Sequence, residues 1–306
     1  VTEYFYEACG LQIASSMPLR AFVTTQRTTP ASPVIRFYQD DVPAALCGAA
    51  QSGGPNWECN ENQFLLRVPG IAKFLIENGA TIRFQPEPGV SLDDVSAFLV
   101  GSALGILIHQ RGQIILHASS VLVNGKAVLF CGASGKGKST LAAALDKRGF
   151  PVVTDDFCVL DPTLPPSVFP DGRYLRLWQQ SLDGLDMEDA DYLPVRRKIN
   201  KYYVSPENVV SDPVPLGPIY ILRETKPPFT SGIAALNLTE AATAIRQQAY
   251  RPFLIQRMAK QDAYFLATMR MMTRSEAFTL TRPMGFAALP KVLDQLQAHW
   301  REVGLV

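Results

Sequence analysis

Apolar and polar positions alternate along the first part of the chain, up to about Gly89, and predict mostly β-strands there. "YFYEACGLQIASSMPL" is rich in aromatic and β-branched residues and runs into a proline turn; "AFVTT" and "VIRFYQD" repeat the pattern. In "IAKFLIENGATIRF", Asn78-Gly79 separates two apolar runs, the strongest short-range hairpin signal, with a helix over "IAKFLIEN" as the competing reading. Between Pro43 and Asn62 the sequence is rich in Gly, Ala and Pro, which predicts a mobile loop.

The periodicity changes at Ser91. "SLDDVSAFLVGSALGILIHQRG" predicts a helix with Ser91 as cap, Asp94 three residues on as a capping box, and a stop near Gly112. Its most apolar stretch, Val95 to Gln110, falls short of the roughly 20 residues that cross a bilayer and is expected to be a buried helix. "QIILHASSVLV" reads as a strand, "NGK" (Asn124 to Lys126) as a tight turn, and "AVLFCG" as a second strand. Beyond Asp161 a proline-rich stretch and a basic stretch, "RRKINKYYV", precede a buried strand, "PIYILRET". Helices over "LTEAATAIRQQAY" and "FLIQRMAKQDAYFLATMRMM", a strand "EAFTLTRP" and an amphipathic helix "GFAALPKVLDQLQAHWREVG" follow. The expected organisation is a β-rich N-terminal domain, 1–89, and an α/β domain, 90–306.

Composition narrows the function classes. Of 306 residues 47% are hydrophobic and 19% charged, which supports a large core, and the net charge of +1 gives no argument for nucleic acid or an acidic membrane as partner. Cys9, Cys47, Cys59, Cys131 and Cys158 are odd in number and form no C-x-x-C pair, so they read as small buried hydrophobes rather than a disulfide framework or a zinc site. "VTEYFYEACG" lacks the cationic region of a secretory signal. A soluble, cytoplasmic protein is expected.

Candidate chemistry concentrates between Val128 and Asp161. Gly132-Ala133-Ser134-Gly135-Lys136-Gly137-Lys138-Ser139 matches G-x-x-x-x-G-K-[ST], between an apolar strand and a helix "KSTLAAALDKR" that ends at Gly149. Glycines there allow backbone N–H groups to form a nest for phosphate oxygens at a helix N-terminus. Lys138 would reach the terminal phosphates and Ser139 would hold Mg²⁺, with Thr140 completing the nucleotide-binding set. "FPVVTDD" is read as a short strand ending in Asp155 and Asp156. Adjacent strand residues face opposite ways, so both reach a site only if the strand ends there and the chain turns. Two acids suit a division of labour in which one holds the metal and the other takes a proton from an attacking hydroxyl. The alternative is one functional aspartate and one solvated. His117 lies one hairpin before Gly132; it is either a satisfied structural residue or part of the site. Arg176 would brace a phosphate or sit on the surface beside Trp178. Arg196, Arg197, Lys198 and Lys201 form a solvated charge run or an arm that neutralises phosphate or grips a peptide carboxylate, with Lys201 the first choice.

Together these residues resemble the HPr kinase/phosphorylase family, in His117, the loop Gly132 to Ser139, "KRG" (Lys147 to Gly149) and Asp155-Asp156. The short gap from loop to acids is also similar to that of phosphoenolpyruvate carboxykinases. "GLQIASSMPL" (Gly10 to Leu19), Gly101 to Gly112 and "RLW" (Arg176 to Trp178) resemble a divergent HPr-kinase-like group, some encoded with lasso-peptide clusters. The resemblance implies an α/β P-loop kinase core using ATP and Mg²⁺, with Asp155 as general base, Asp156 and Ser139 on the metal, and His117 near the transferring phosphate; the two aspartates' roles are exchangeable. It implies transfer to a peptide serine, in that group the C-terminal serine of a lasso precursor, and hints at a homo-oligomer. The family's H-G-V is His117-Ala118-Ser119 here and its later Glu-x-Arg-Gly-Leu-Gly stretch is missing, so phosphorolysis is not expected. A small-molecule alcohol kinase and a nucleotide-dependent switch remain as alternatives.

Overall fold

The structure is a computed structural model that describes residues 3–22, 34–46, 50–161, 165–187, 192–196 and 199–306. Most of "AFVTT", together with Cys47, Arg197 and Lys198, lies outside them.

Eight strands from the first part of the chain make one sheet: β1 (Tyr4–Ala8), β2 (Leu11–Ser15), β3 (Ile35–Gln39), β4 (Ser52–Gly54), β5 (Trp57–Cys59), β6 (Gln63–Val68), β7 (Ala72–Glu77) and β8 (Thr81–Pro86), in the order β1-β2-β3-β8-β7-β6-β5-β4. Cys9 and Gly10, both at positive φ, turn β1 into β2. Asn78 and Gly79 do the same between β7 and β8, so "IAKFLIEN" is a strand and not a helix. The predicted loop from Pro43 to Asn62 is partly a hairpin, β4–β5, instead. Trp57, partly buried, stacks on the buried Phe64 of β6 at 5.5 Å, and this aromatic contact holds a glycine-rich segment in the sheet.

A continuous helical segment follows: α1 (Leu92–Phe98), a π-type turn Leu99–Ala103 and α2 (Leu104–Gln110). The Ser91 hydroxyl accepts from the Asp93 N–H at 3.3 Å, so the cap forms without the expected box to Asp94. Gly112, at φ +75°, ends the segment. Leu92–Gln110 is long and apolar enough to cross a bilayer, yet most of it is buried inside the fold.

The rest of the chain builds a nine-stranded sheet and its helices: β9 (Ile114–Leu116), β10 (Ala118–Val123), β11 (Lys126–Cys131), α3 (Lys138–Asp146), β12 (Val152–Thr154), β13 (Cys158–Asp161), β14 (Ser167–Phe169), β15 (Leu175–Trp178), α4 (Gln179–Gly184), β16 (Lys201–Val204), β17 (Val214–Glu224), β18 (Gly232–Ala235), α5 (Leu238–Gln247), α6 (Pro252–Arg257), α7 (Gln261–Met272), β19 (Ala277–Arg282) and α8 (Leu289–Glu302). β17 is the spine. Its first residues pair with β14, and its later ones run parallel to β11 and β19. β15 and β16 form a separate two-stranded ribbon. "QIILHASSVLV" is two strands rather than one: β9 pairs with β13, β10 with β11 and β12, and His117 between them donates its N–H to the Gln248 carbonyl at 2.7 Å. Asn124 and Gly125, both at positive φ, form the tight turn from β10 to β11.

One hydrophobic cluster joins the N-terminal sheet (Phe37, Phe74, Phe84) to the helical segment (Leu99, Leu104, Leu107) and to β9 and α7 (Ile115, Met271). A second lies between the other sheet and helices α3 and α8, through Phe130, Tyr220, Leu145, Leu296 and Trp300. Each fully buried Leu or Phe side chain stabilises the fold by about 1.5–3 kcal/mol before chain entropy is counted. The cluster on α3 fixes the start of that helix against the end of β11. Cys9, Cys59, Cys131 and Cys158 are buried free thiols, and burial pushes the thiols of Cys9 and Cys131 up to about 12.

Candidate active site

The loop Gly132–Ser139 leaves the carboxyl end of β11 and enters α3. Gly135 and Gly137 take φ of +83° and +73°, a region an L side chain resists. Gly137 caps α3 with no side-chain acceptor, so the first-turn N–H groups face a site without a capping oxygen. Ser134, Gly135, Gly137, Lys138, Ser139 and Thr140 line a cleft of about 850 Å³ that also takes in His117, Asp156, Arg176, Lys201 and Arg282. The Thr140 hydroxyl lies 2.9 Å from that of Ser181 on α4. Gly132, Ala133 and Lys136 are not on the cleft wall. The carbonyls of the first two hold Lys138, and Lys136 turns away to pair with Glu224 at 3.2 Å.

Lys138 is buried, and its Nζ donates to the Gly132 carbonyl at 2.7 Å, to the Ala133 carbonyl at 3.2 Å and to His117 Nε2 at 2.9 Å. Because Nε2 accepts, the ring proton sits on Nδ1, which donates to the Asp156 carbonyl at 2.6 Å. Burial, and then the Lys138 charge, lower the His117 pKa; burial likewise lowers that of Lys138, with Asp156 opposing. The histidine is thus a neutral link between the loop lysine and the acidic turn.

The two aspartates are placed very differently. Asp155 is buried and does not line the cleft. Its Oδ1 accepts from the Ser119 hydroxyl at 2.7 Å and its Oδ2 from the Arg176 N–H at 2.9 Å, while its own N–H donates to Asp171 Oδ2 at 2.8 Å. Asp156 follows at φ +76°, a strained conformation for a non-glycine residue, and this turn swings its carboxylate into the cleft. There it pairs with the Arg176 guanidinium and lies 3.8 Å from His117 Nδ1. Burial would raise the Asp156 pKa, but Arg176 and Arg173 outweigh it and hold the carboxyl well below the usual carboxylate range.

Lys201 lines the same wall. Its Nζ stands 5.6 Å from the centre of the Trp178 ring, and burial, then Arg176, lower its pKa. Arg196 points elsewhere, over the Phe98 ring and towards Asp94 at 3.8 Å. His109 and His299 serve the core: His109 donates to the Tyr250 carbonyl at 2.9 Å, and His299 meets the Tyr220 hydroxyl at 2.8 Å.

Three residues not anticipated from the sequence complete the surroundings. Asp171 and Arg173 are an ion pair at 2.9 Å behind Asp155, and Arg173 also donates to the Asp155 carbonyl at 2.7 Å and stacks on Phe157. Arg282, at the end of β19, donates to the Lys136 carbonyl at 2.9 Å. The "DGR" turn before "YLRLW" was the available signal for the first two. For Arg282 the signal was an arginine closing an apolar strand.

No protein-family model and no curated protein matches the chain. Among solved structures it is similar to the Hpr(Ser) kinase/phosphatase from Coxiella burnetii at 14% identity, over 62% of this chain and 98% of that one, with a TM-score of 0.34. At that identity and score the chemistry rests on this chain's own residues.

Proposed function

We propose that this chain is an ATP-dependent phosphotransferase that moves the γ-phosphoryl group to a hydroxyl, and that the hydroxyl belongs to a serine of a peptide. One observation carries the reading. An uncapped helix N-terminus, a buried lysine and an aspartate forced into a left-handed turn converge on one cleft. Phosphoryl transfer asks mainly for positioning and charge neutralisation, plus an acid that orients the attacking hydroxyl.

The donors present suit a nucleotide with magnesium. Ser139 and Asp156 are hard oxygen donors on the cleft wall, the type that magnesium takes alongside phosphates and water. Ser139 would hold the ion, which when bound would neutralise charge on the phosphate oxygens. Lys138 would give up its loop carbonyls for the terminal phosphates. The bonded, buried carboxylate of Asp155 supports moving the base role expected of it to Asp156: Asp156 takes the acceptor proton, and Asp155 is a positioning residue that fixes the turn. Arg176 pairs with Asp156. Phosphate oxygens compete for the same guanidinium, and its departure towards them would free the carboxylate for the hydroxyl. Trp178, exposed on the cleft wall, offers apolar surface to an extended chain. The resemblance to HPr-kinase-like enzymes makes the C-terminal serine of a lasso precursor the first acceptor to try.

The test is a labelled-ATP assay with serine peptides, the same peptides with Ser→Ala, small alcohols, and no acceptor. Label on the peptide that disappears with its serine supports the reading. Asp156→Asn should lower transfer about 10²- to 10⁴-fold while nucleotide still binds. ATP loss into water at full rate without acceptor would assign the site to a switch or ATPase. Transfer to alcohols and to no peptide would move the acceptor to small molecules.

A further inference from the structure

Asp155 and Asp156 act on the buried charges of Lys138 and Lys201, but no acid acts on that of Arg282. This side chain is 5% exposed and reaches beneath the loop, where Nη2 donates to the carbonyls of Lys136 at 2.9 Å and Gly137 at 3.4 Å. A Cβ at Gly137 would stand 2.7 Å from that nitrogen. Its Nε is buried with no hydrogen-bond partner. Among the described residues no carboxylate lies within ion-pair distance. Glu224, its register neighbour on β17, pairs instead with Lys136 at 3.2 Å and Lys226 at 3.0 Å. Burial accordingly lowers the guanidinium's pKa with no opposing charge. Burying an uncompensated cation is costly, and such a group is kept where another species supplies the counter-charge.

The same side chain lines the cleft. Lys138, His117 and Asp156 occupy one part of that wall, while Arg282 is followed in the chain by Met284, Gly285 and Phe286, which line it too. We infer that Arg282 binds the phosphate chain of a nucleoside polyphosphate, on the nucleoside side, with Met284 and Phe286 as apolar surface beyond it. This rests on the nucleotide reading of the loop and extends it: the missing counter-charge arrives with the ligand. The loop carbonyls held by Nη2 make the guanidinium a brace as well, so that ligand charge and loop geometry are coupled through one residue.

The experiment is calorimetric titration of ADP with magnesium into wild type, Arg282→Met and Arg282→Lys, with the melting temperature of each measured with and without ADP. Arg282→Met should weaken ADP about ten- to a hundredfold, the range of a lost charge-assisted hydrogen bond. Without ligand it should melt no lower than wild type, because an uncompensated charge has been removed, and its gain in melting temperature on adding ADP should shrink. A variant that melts well below wild type with unchanged ADP affinity would overturn the assignment and leave Arg282 a brace alone. Should Arg282→Met melt lower and also bind less, the assignment stands only if Arg282→Lys melts like wild type and still binds ADP more weakly. If wild type takes no ADP, the nucleotide reading fails and the inference with it; if wild type binds and all three bind alike, the inference alone fails.

Discussion

The two flanks of the glycine loop handle buried charge in opposite ways. On the β12 side, Asp155, Asp171 and Arg173 are all buried, and opposite charges meet inside the protein: Arg173 pairs with Asp171 and donates to the Asp155 carbonyl, although its Nη1 has no partner, and the Asp155 carboxylate is bonded at both oxygens. On the β19 side, Arg282 is as deeply buried and has no acid beside it among the described residues. The first arrangement is scaffold: its charges are spent on holding a strained turn. The second, on the inference drawn above, is completed by a ligand. Burial of a charge does not by itself mark a site; the missing counter-charge does.

The largest effect should come from the loop lysine, which stands between the two flanks. Lys138→Met is expected to lower phosphoryl transfer at least about a hundredfold, the scale of losing electrostatic stabilisation in a dry site. Rates from labelled ATP measure it, and a variant at wild-type rate would show that the cleft is not the reaction site. Next comes the paired flank. Arg173→Met should cost about 3–5 kcal/mol of stability by stranding Asp171, and Arg173→Met with Asp171→Asn should recover part of it. Denaturant titration reads both; equal stability of the single and double variants would break the contrast between the flanks.

A third group is satisfied only when uncharged. Burial lowers His109 from 6.5 to about 4. Below pH 6.5 the unfolded chain takes up a proton that the folded histidine refuses until about pH 4, so stability falls as pH falls through that window. The gap corresponds to roughly 3 kcal/mol. His109→Gln should flatten the dependence of the melting temperature on pH between 7 and about 4, and an unchanged slope would assign the acid sensitivity elsewhere. The smallest effect is expected at the exposed pair of Arg36 and Glu3, 3.1 Å apart, where Arg36→Ala should shift stability by about 0–1 kcal/mol.

What the sequence showed depended on how local the signal was. The loop, α3 and the adjacent aspartates sit in one short stretch, so their spacing alone brought them together. The turn expected from the sequence would bring both Asp155 and Asp156 to the site; only Asp156 lines the cleft, because of its φ of +76° and because Ser119 and Arg176 capture Asp155. Arg282 reaches the loop through the parallel pairing of β17 with β19, a long-range contact with no local signature. "QIILHASSVLV" read as one strand because hydrophobicity is continuous through a switch of partners, which happens where His117 bonds to Gln248. The glycine-rich segment before Asn62 looked mobile because its order comes from Trp57 on Phe64, outside the glycines themselves.

Gly105 lies in the apolar helical segment and lines no part of the cleft. A Cβ there would stand 2.5 Å from the Tyr250 ring, and that ring packs against Phe157 at 5.3 Å and His117 at 6.4 Å. The helix has given up about 1 kcal/mol of propensity at this glycine, and the room goes to the aromatic wall behind the histidine. An added methyl at Gly105 would therefore act as a remote lesion: the helix would gain propensity while the Tyr250 ring, and the imidazole it packs against, would be pushed out of place.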